Sequence, residues 1–370
     1  MKRTDEAVSK IFVLQQPMRL AVFGLTISSS WGNGHATLWR GLIRALAHRG
    51  HQVHFFERDV SYYAQNRDLV GWLDGELILY SDWSSVEERA RVAVAAADVS
   101  IITSFCPDSE AASRLVQSKG NGLKIFYDLD TPVTLDQYSK QGFVAYIPSE
   151  GLGGFDLVLS YTGGLALIEL VKVLGARKAV TLYGHADPDF HCPSHPEVNH
   201  QADLSYLGTY ANDRQPILEE MFFEPARRFP RKRFMVAGAL YPETLDWPQN
   251  VDFLGHLPPS KHSTFFSSSA LTLNVTRPSM AAMGFCPSGR LFEAAACRTP
   301  ILSDCWVGME EFFEPGKEIL LANKTQEVVN LLSINPDVLA EIGLAARRRV
   351  LSQHTSEHRA QEFENIVRKL

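Results

Sequence analysis

The stretch Cys286-Pro287-Ser288-Gly289-Arg290-Leu291-Phe292-Glu293-Ala294-Ala295-Ala296-Cys297-Arg298-Thr299-Pro300-Ile301-Leu302-Ser303-Asp304 reads as a loop, a helix, a turn and the start of a strand. Pro287, Ser288 and Gly289 suit a loop feeding a helix N-terminus, where unpaired N–H groups and the positive dipole end favour an anion. Arg290 adds a forked cation in the first turn, matched to phosphate oxygens. Glu293 lies one turn on, on the same face, and can accept two hydroxyl hydrogen bonds, as from a ribose. Ala294, Ala295 and Ala296 allow close packing on a sheet. Thr299-Pro300 ends the helix and Ile301-Leu302 resumes as strand. An amphipathic helix with an N-terminal Arg and a solvated Glu fits the same letters, so the surrounding chain must decide.

Upstream, residues 203–210 read as a strand and loop, 214–228 as a helix, and 233–238 as a strand. Residues 250–257 follow, then a Ser/His-rich helix and a strand over 271–275. The first half repeats the alternation. A buried strand at 19–24 leads through the small-residue loop 25–35 to a helix over 36–48 that stops at Gly50, and a strand over 51–57 follows. Strands at 99–103, 124–128, 156–160 and 178–183 alternate with helices at 108–119 and from Gly163-Gly164 to Leu174. This predicts α/β architecture with two doubly wound, mostly parallel sheets. Gly184, Pro188, Pro193 and Pro196 mark the boundary. The expected domains are a tail over 1–17, a first domain over 18–190, a second over 200–354, and a terminal helix over 355–370.

The chain has 370 residues, 45% hydrophobic and 21% charged, with a formal net charge of −6, as in a globular protein of two ordinary domains. That charge argues against a nucleic-acid partner. Basic runs at Arg227-Arg228, Arg231-Lys232-Arg233 and Arg347-Arg348-Arg349 read as solvated helix ends, the first also as a contact for anionic lipid or polymer. Five cysteines without a CxxC pair point to a reducing, cytoplasmic setting, and neither a disulfide frame nor a metal site is expected. Cys192 between His191 and His195 sits in a Pro-rich turn that reads as linker. The N-terminus lacks the long apolar core of a signal peptide, and no run reaches transmembrane length. Peripheral membrane contact and oligomeric state stay open.

The opening stretch resembles the donor-nucleotide motif of GT-B glycosyltransferases, and its Ser-x-Arg-x-Phe-Glu-Ala-x-Ala-x-x-x-Pro pattern is similar to the CgeB-like group, named for a spore-maturation protein. Val251–Pro258 adds to it and Gly184–Pro193 is similar with a shift of spacing, so the resemblance covers nearly the whole chain from about Met18, strongest across Val251–Asp304 and weaker in the first domain. It implies a GT-B fold, two Rossmann-like domains facing a central cleft, with donor on the second and acceptor on the first. The terminal helix would cross back to the first domain. The implied reaction is transfer of a sugar from a UDP- or dTDP-linked donor to a glycan, small molecule or protein, without a metal or separate cofactor. By the same resemblance Glu293 would bind the ribose, the preceding loop with Ser288 and Gly289 the diphosphate, and the His256 backbone the base edge. Sequences of similar architecture include sugar-nucleotide 2-epimerases, and a non-catalytic sugar-nucleotide or glycan-binding protein is the third reading.

Arg290 leads the phosphate candidates, with Arg277 and Arg214 behind it and surface ion pairs as their plainer roles. Thr209 and Tyr210 stand on a strand-to-helix loop, as ligands or simple turn residues. Asn33, Gly34 and His35 open the first helix; there a neutral His35 suits a general base, or merely ties the helix end. Asp130 is the alternative base, or an Asx-turn acid before Pro132. Asp128-Leu129-Asp130 looks like a metal-binding Asp-x-Asp but ends a strand. Tyr161, Thr162 and Gly163 are acceptor candidates, the glycine through its N–H. Phe285 stands where many retaining GT-B enzymes carry a sugar-binding acid. The loop 24–34 is not GxGxxG, and Glu57 is too weak an acidic partner to argue for a dinucleotide.

Overall fold

A computed structural model describes residues 16–71, 74–118 and 122–370. Residues 1–15 of the expected tail, and Lys119 at an expected helix end, lie outside them. The first sheet comprises β1 (Arg19–Gly24), β2 (Gln52–Arg58), β3 (Glu76–Tyr80), β4 (Val99–Thr103), β5 (Leu123–Asp128), β6 (Leu157–Ser160) and β7 (Ala179–Thr181). Its order is β3-β2-β1-β4-β5-β6-β7, parallel throughout. Successive strand residues point to opposite faces. Leu20 and Val22 therefore join one apolar layer while Ala21 and Phe23 join the other. Strand order reverses between β1 and β4, the place where a crevice opens at the carboxyl edge of such a sheet.

The second sheet repeats the plan. It holds β8 (Leu204–Leu207), β9 (Phe234–Ala237), β10 (Val251–Phe253), β11 (Thr272–Asn274), β12 (Ile301–Ser303) and β13 (Leu320–Leu321), in the order β10-β9-β8-β11-β12-β13. The switch lies between β8 and β11. Both sheets turn their carboxyl edges to a shared cleft, so the loops after β1, β5, β6, β8 and β11 all reach one cavity.

Three differences from the sequence reading have physical causes. β3 and the helix Trp83–Ala96 were not anticipated; they fill out the outer edge of the first sheet through Ile78, Tyr80, Val86, Ala90 and Val94. The helix expected over 214–228 is instead Gln215–Leu218, a π turn over Glu219–Phe223 and Glu224–Arg228. Pro225 has no N–H for the usual bond one turn back, and the wider turn accommodates it. The span 184–196 is more than a linker: Gly184, His185, Ala186 and Asp187 are buried, and Ala186 bridges Thr355.

The last helix, Ser356–Arg368, lies against the first domain. Ala360, Phe363 and Val367 enter the apolar layer of Trp39, Leu42 and Leu46. Buried Glu364 accepts hydrogen bonds from Arg49 (2.6 Å) and His51 (2.7 Å). Among the described residues no single helix is long and apolar enough to cross a membrane.

Candidate active site

The first-domain wall is built on a buried carboxylate. Glu57, at the end of β2, accepts from Thr26 Oγ1 (2.7 Å), the Ile27 and Ser28 N–H groups (2.8 and 3.0 Å) and Ser28 Oγ. These bonds fix the loop after β1. Asn33 braces it further, donating to the Thr26 and Ser29 carbonyls (3.1 and 3.3 Å) and accepting from the His35 N–H (2.9 Å). The helix His35–His48 then starts with the His35 ring in the cavity, its Nε2 2.8 Å from Asp130 Oδ2. His35 Nδ1 has no partner. Burial acts to raise the Asp130 carboxyl; the His35 hydrogen bond and charge, with Arg277 and Arg214, outweigh it and hold it below its ordinary value.

Asp128 plays another part. It is fully buried, accepts from the Asp130 N–H (3.1 Å) and Thr134 Oγ1 (3.0 Å), and burial pushes its carboxyl up to about 6. It holds the turn that presents Asp130.

The second-domain wall is the helix Gly289–Ala296. Ser288 caps it, its hydroxyl accepting from the Arg290 N–H at 3.2 Å. Arg290 folds back to donate to Glu293 Oε2 and lies 3.5 Å from His262 Nδ1. Glu293 is only 4% exposed, with His191 Nε2 4.0 Å from Oε1 and His262 Nδ1 3.7 Å from Oε2. Burial would raise the Glu293 carboxyl, but Arg290 first, then His191 and His262, hold it well below the usual range. Burial lowers His191, and burial with Arg290 brings His262 down to about 4. His191, His262 and Glu293 each offer one ligand atom, all within 4.8 Å of one another, so a metal could sit there. The Arg290 guanidinium already supplies a cation at Glu293.

A cavity of about 440 Å³ joins the two walls. Asn33, Gly34, His35, Asp130, Tyr161, Thr209, Arg214, Arg277, Ser288, Gly289, Arg290 and Glu293 all line it. Arg277 is paired with Asp213 (2.7 Å), and Arg214 donates to the Thr209 carbonyl while its Nε stays buried and unpartnered. His256 lines an adjoining recess, its ring 4.7 Å from Trp31 across the cleft.

Three candidates line neither the cavity nor the adjoining recess. Tyr210 meets Tyr241 edge to face and donates to Asn212. Thr162 is wholly buried. Gly163 cannot offer its N–H to an acceptor, because that group donates to the Phe285 carbonyl in the other domain at 2.9 Å. The basic run at 227–233 is largely neutralised, Arg227 by Glu219 and Glu224, Lys232 by Asp203 and Arg233 by Asp252. Sequence reasoning passed over His185 in the cavity wall and His262 beside Glu293, and set His191 aside as part of a linker. A His in a Pro-rich span and one in a Ser-rich helix carry no sign of burial in the letters alone.

Residues 214–365 match the family model described as glycosyl transferase-like. Residues 214–365 therefore form a glycosyl transferase-like domain, and the chain as a whole takes a GT-B fold. Its backbone is similar to sucrose-phosphate synthase from Thermosynechococcus elongatus, with a TM-score of 0.67 and 14% identity over 95% of this chain and 98% of that one. It is also similar to Anabaena HepE, solved with UDP-glucose, with a TM-score of 0.64 and 13% identity over 95% of this chain and all of that one (100%). A glycosyltransferase from Rickettsia africae gives a TM-score of 0.62 and 11% identity over 96% and 98% of the two chains. No curated protein matches in sequence. The match spans the wall formed by Arg290 and Glu293, and the fold supplies the opposite wall.

Proposed function

We propose that this glycosyltransferase moves a sugar from a UDP- or dTDP-linked donor, held on the second domain, to a hydroxyl of an acceptor held on the first. The observation that carries this reading is the placement of Arg290 and Glu293, at a capped helix N-terminus, opposite the His35–Asp130 pair across one cavity. The helix end, Arg290, Arg214 and Arg277 supply the positive charge that a departing diphosphate needs, without a metal. Glu293 accepts from the ribose hydroxyls once Arg290 turns to phosphate. On the other wall, the His35–Asp130 pair takes the acceptor proton as the new bond forms. The acceptor class, whether glycan, small molecule or protein, is set by the first-domain wall. HepE, of the same fold, was solved with UDP-glucose, which favours a uridine donor.

Thermal unfolding with UDP, dTDP, GDP and ADP tests the reading. At a hundred times its dissociation constant a nucleotide adds about 2.7 kcal/mol. One nucleotide should stabilise the native protein and leave Glu293→Ala unmoved, while His35→Ala keeps the shift and loses turnover. No shift with any nucleotide, or an equal shift in Glu293→Ala, would sink the assignment.

A further inference from the structure

The two halves of the cavity differ in charge. Arg214, Arg277 and Arg290 line the second-domain half, whereas among the described residues no lysine or arginine lines the first-domain half, and Asp130 is its one carboxylate. Arginines on the flanking elements are already committed, Arg40 to Asp68 (2.7 Å) and Arg58 to Asp108 (3.1 Å). Leu25, Leu38, Tyr63, Phe105 and Leu129 line that half instead. An anionic acceptor would meet Asp130 there with no lysine or arginine of the same wall to balance it.

Phe105 is set apart in this wall. It follows β4, between two buried residues. The Ser104 N–H donates to the Tyr127 carbonyl (3.1 Å), Ser104 Oγ accepts from the Leu129 N–H (3.0 Å), and the Cys106 N–H donates to the Thr103 carbonyl (3.3 Å). Pinned on both sides, the backbone turns to φ +61° at Phe105, and the side chain stands 36% exposed. Glycine would take that backbone without strain, yet a large apolar ring occupies it. The ring is backed by buried Tyr146, with centroids 4.5 Å apart, whose hydroxyl is itself held by Thr134 (2.9 Å). The His35 ring lies 5.8 Å away.

We propose that Phe105 is the platform on which the acceptor lies, and that the acceptor is an uncharged, hydroxyl-bearing ring, a sugar or a phenol, with an apolar face on Phe105 and a hydroxyl toward the His35–Asp130 pair. The C–H face of a sugar and the π face of a phenol both pack on an aromatic ring, and neither brings a charge to Asp130. The pinned turn and Tyr146 hold the Phe105 ring in place before the acceptor arrives, so little side-chain freedom is lost on binding. A phosphate or carboxylate on the acceptor would find only the arginines that the donor diphosphate already uses. The inference rests on the first domain being the acceptor side, as proposed above.

Saturation-transfer NMR on the full chain, alone and with UDP or dTDP, tests this with glucose, phenol and their phosphorylated counterparts, glucose 6-phosphate and phenyl phosphate. At least one neutral probe should bind, through its ring hydrogens, and more tightly than its counterpart; which one binds tells sugar from phenol. Phe105→Ala should weaken that binding about tenfold, and Phe105→Tyr should keep it. Phe105→Gly should lose it equally while unfolding no earlier than Phe105→Ala, because glycine relieves the turn, so a lost platform is told from a lost fold. Nucleotide affinity should be the same in all three variants. A phosphorylated probe bound as tightly as its neutral partner, unchanged binding in Phe105→Ala, or no neutral probe bound at all would each overturn the inference. A neutral probe bound through Phe105, with neither nucleotide bound, would sink the donor assignment and leave the platform standing.

Discussion

Glu57 touches nothing in the cavity, yet it holds four donors from Thr26, Ile27 and Ser28 in place. Its neighbours are buried, so water cannot replace it cheaply. Glu57→Ala should cost about 3 kcal/mol, since several buried donors lose their acceptor together. Chemical unfolding measures this, and a loss below about 0.5 kcal/mol, within surface-substitution range, would refute the bracing role. The sequence offered Glu57 only as a poor dinucleotide ligand. An acid ending a strand looks the same whether it faces a ribose or its own loop, and only the fold of residues 25–35 tells them apart.

At the scale of elements, most strands were legible, because short apolar runs bounded by turn residues survive almost any tertiary context; the edge strands β3 and β13 were not. β1 and β4 fall at the expected places. The helix Trp83–Ala96 was harder to see, since it buries only the narrow stripe of Val86, Ala90 and Val94. The candidate site was legible where chemistry and turn residues coincide, as at Ser288, Arg290 and Glu293. It was hidden where burial gives an ordinary residue its meaning, as at His191 and His262.

The helix Ser356–Arg368 makes a test at the same scale. Burial would raise its Glu364, but Arg49 and His51 hold it below its ordinary 4.5. A carboxyl lowered by folding contributes fully above its unfolded value and loses that contribution as pH falls through the folded one. Glu364→Gln should therefore cost about 2 kcal/mol at pH 7, with the gap to the native protein closing below about pH 4.5. Unfolding midpoints from pH 7 to pH 3 would show it; a gap independent of pH would exclude the charged contact.

At the scale of the molecule, Phe285 links the domains. Its carbonyl accepts from Gly163, its N–H donates to Val307 (2.7 Å), and its ring lies against Gly164 on one side and Gly308 on the other. It sits at φ +47°, a conformation costly for a side chain of this size, just before the loop that carries Ser288. A Cβ on Gly164 would come within 2.6 Å of the Phe285 ring, at a backbone φ of +57° that itself favours glycine. Gly164→Ala should lower stability by about 2 kcal/mol and enlarge the radius of gyration as the domains part. Unchanged unfolding and unchanged X-ray scattering would show that the contact does not hold the domains together.

The terminal helix has a consequence for the order of synthesis. The first domain is translated first but completed last, because Ala360, Phe363 and Val367 fill a gap in its apolar layer. Until those residues leave the ribosome, the seat beside Trp39 and Leu42 stays open. The second domain, whose strands all lie earlier in the chain, can close while the first still waits. Cutting the chain between the domains would thus not divide it into two finished halves: the amino-terminal fragment would carry an exposed apolar trough, and the carboxy-terminal one a helix with nowhere to dock.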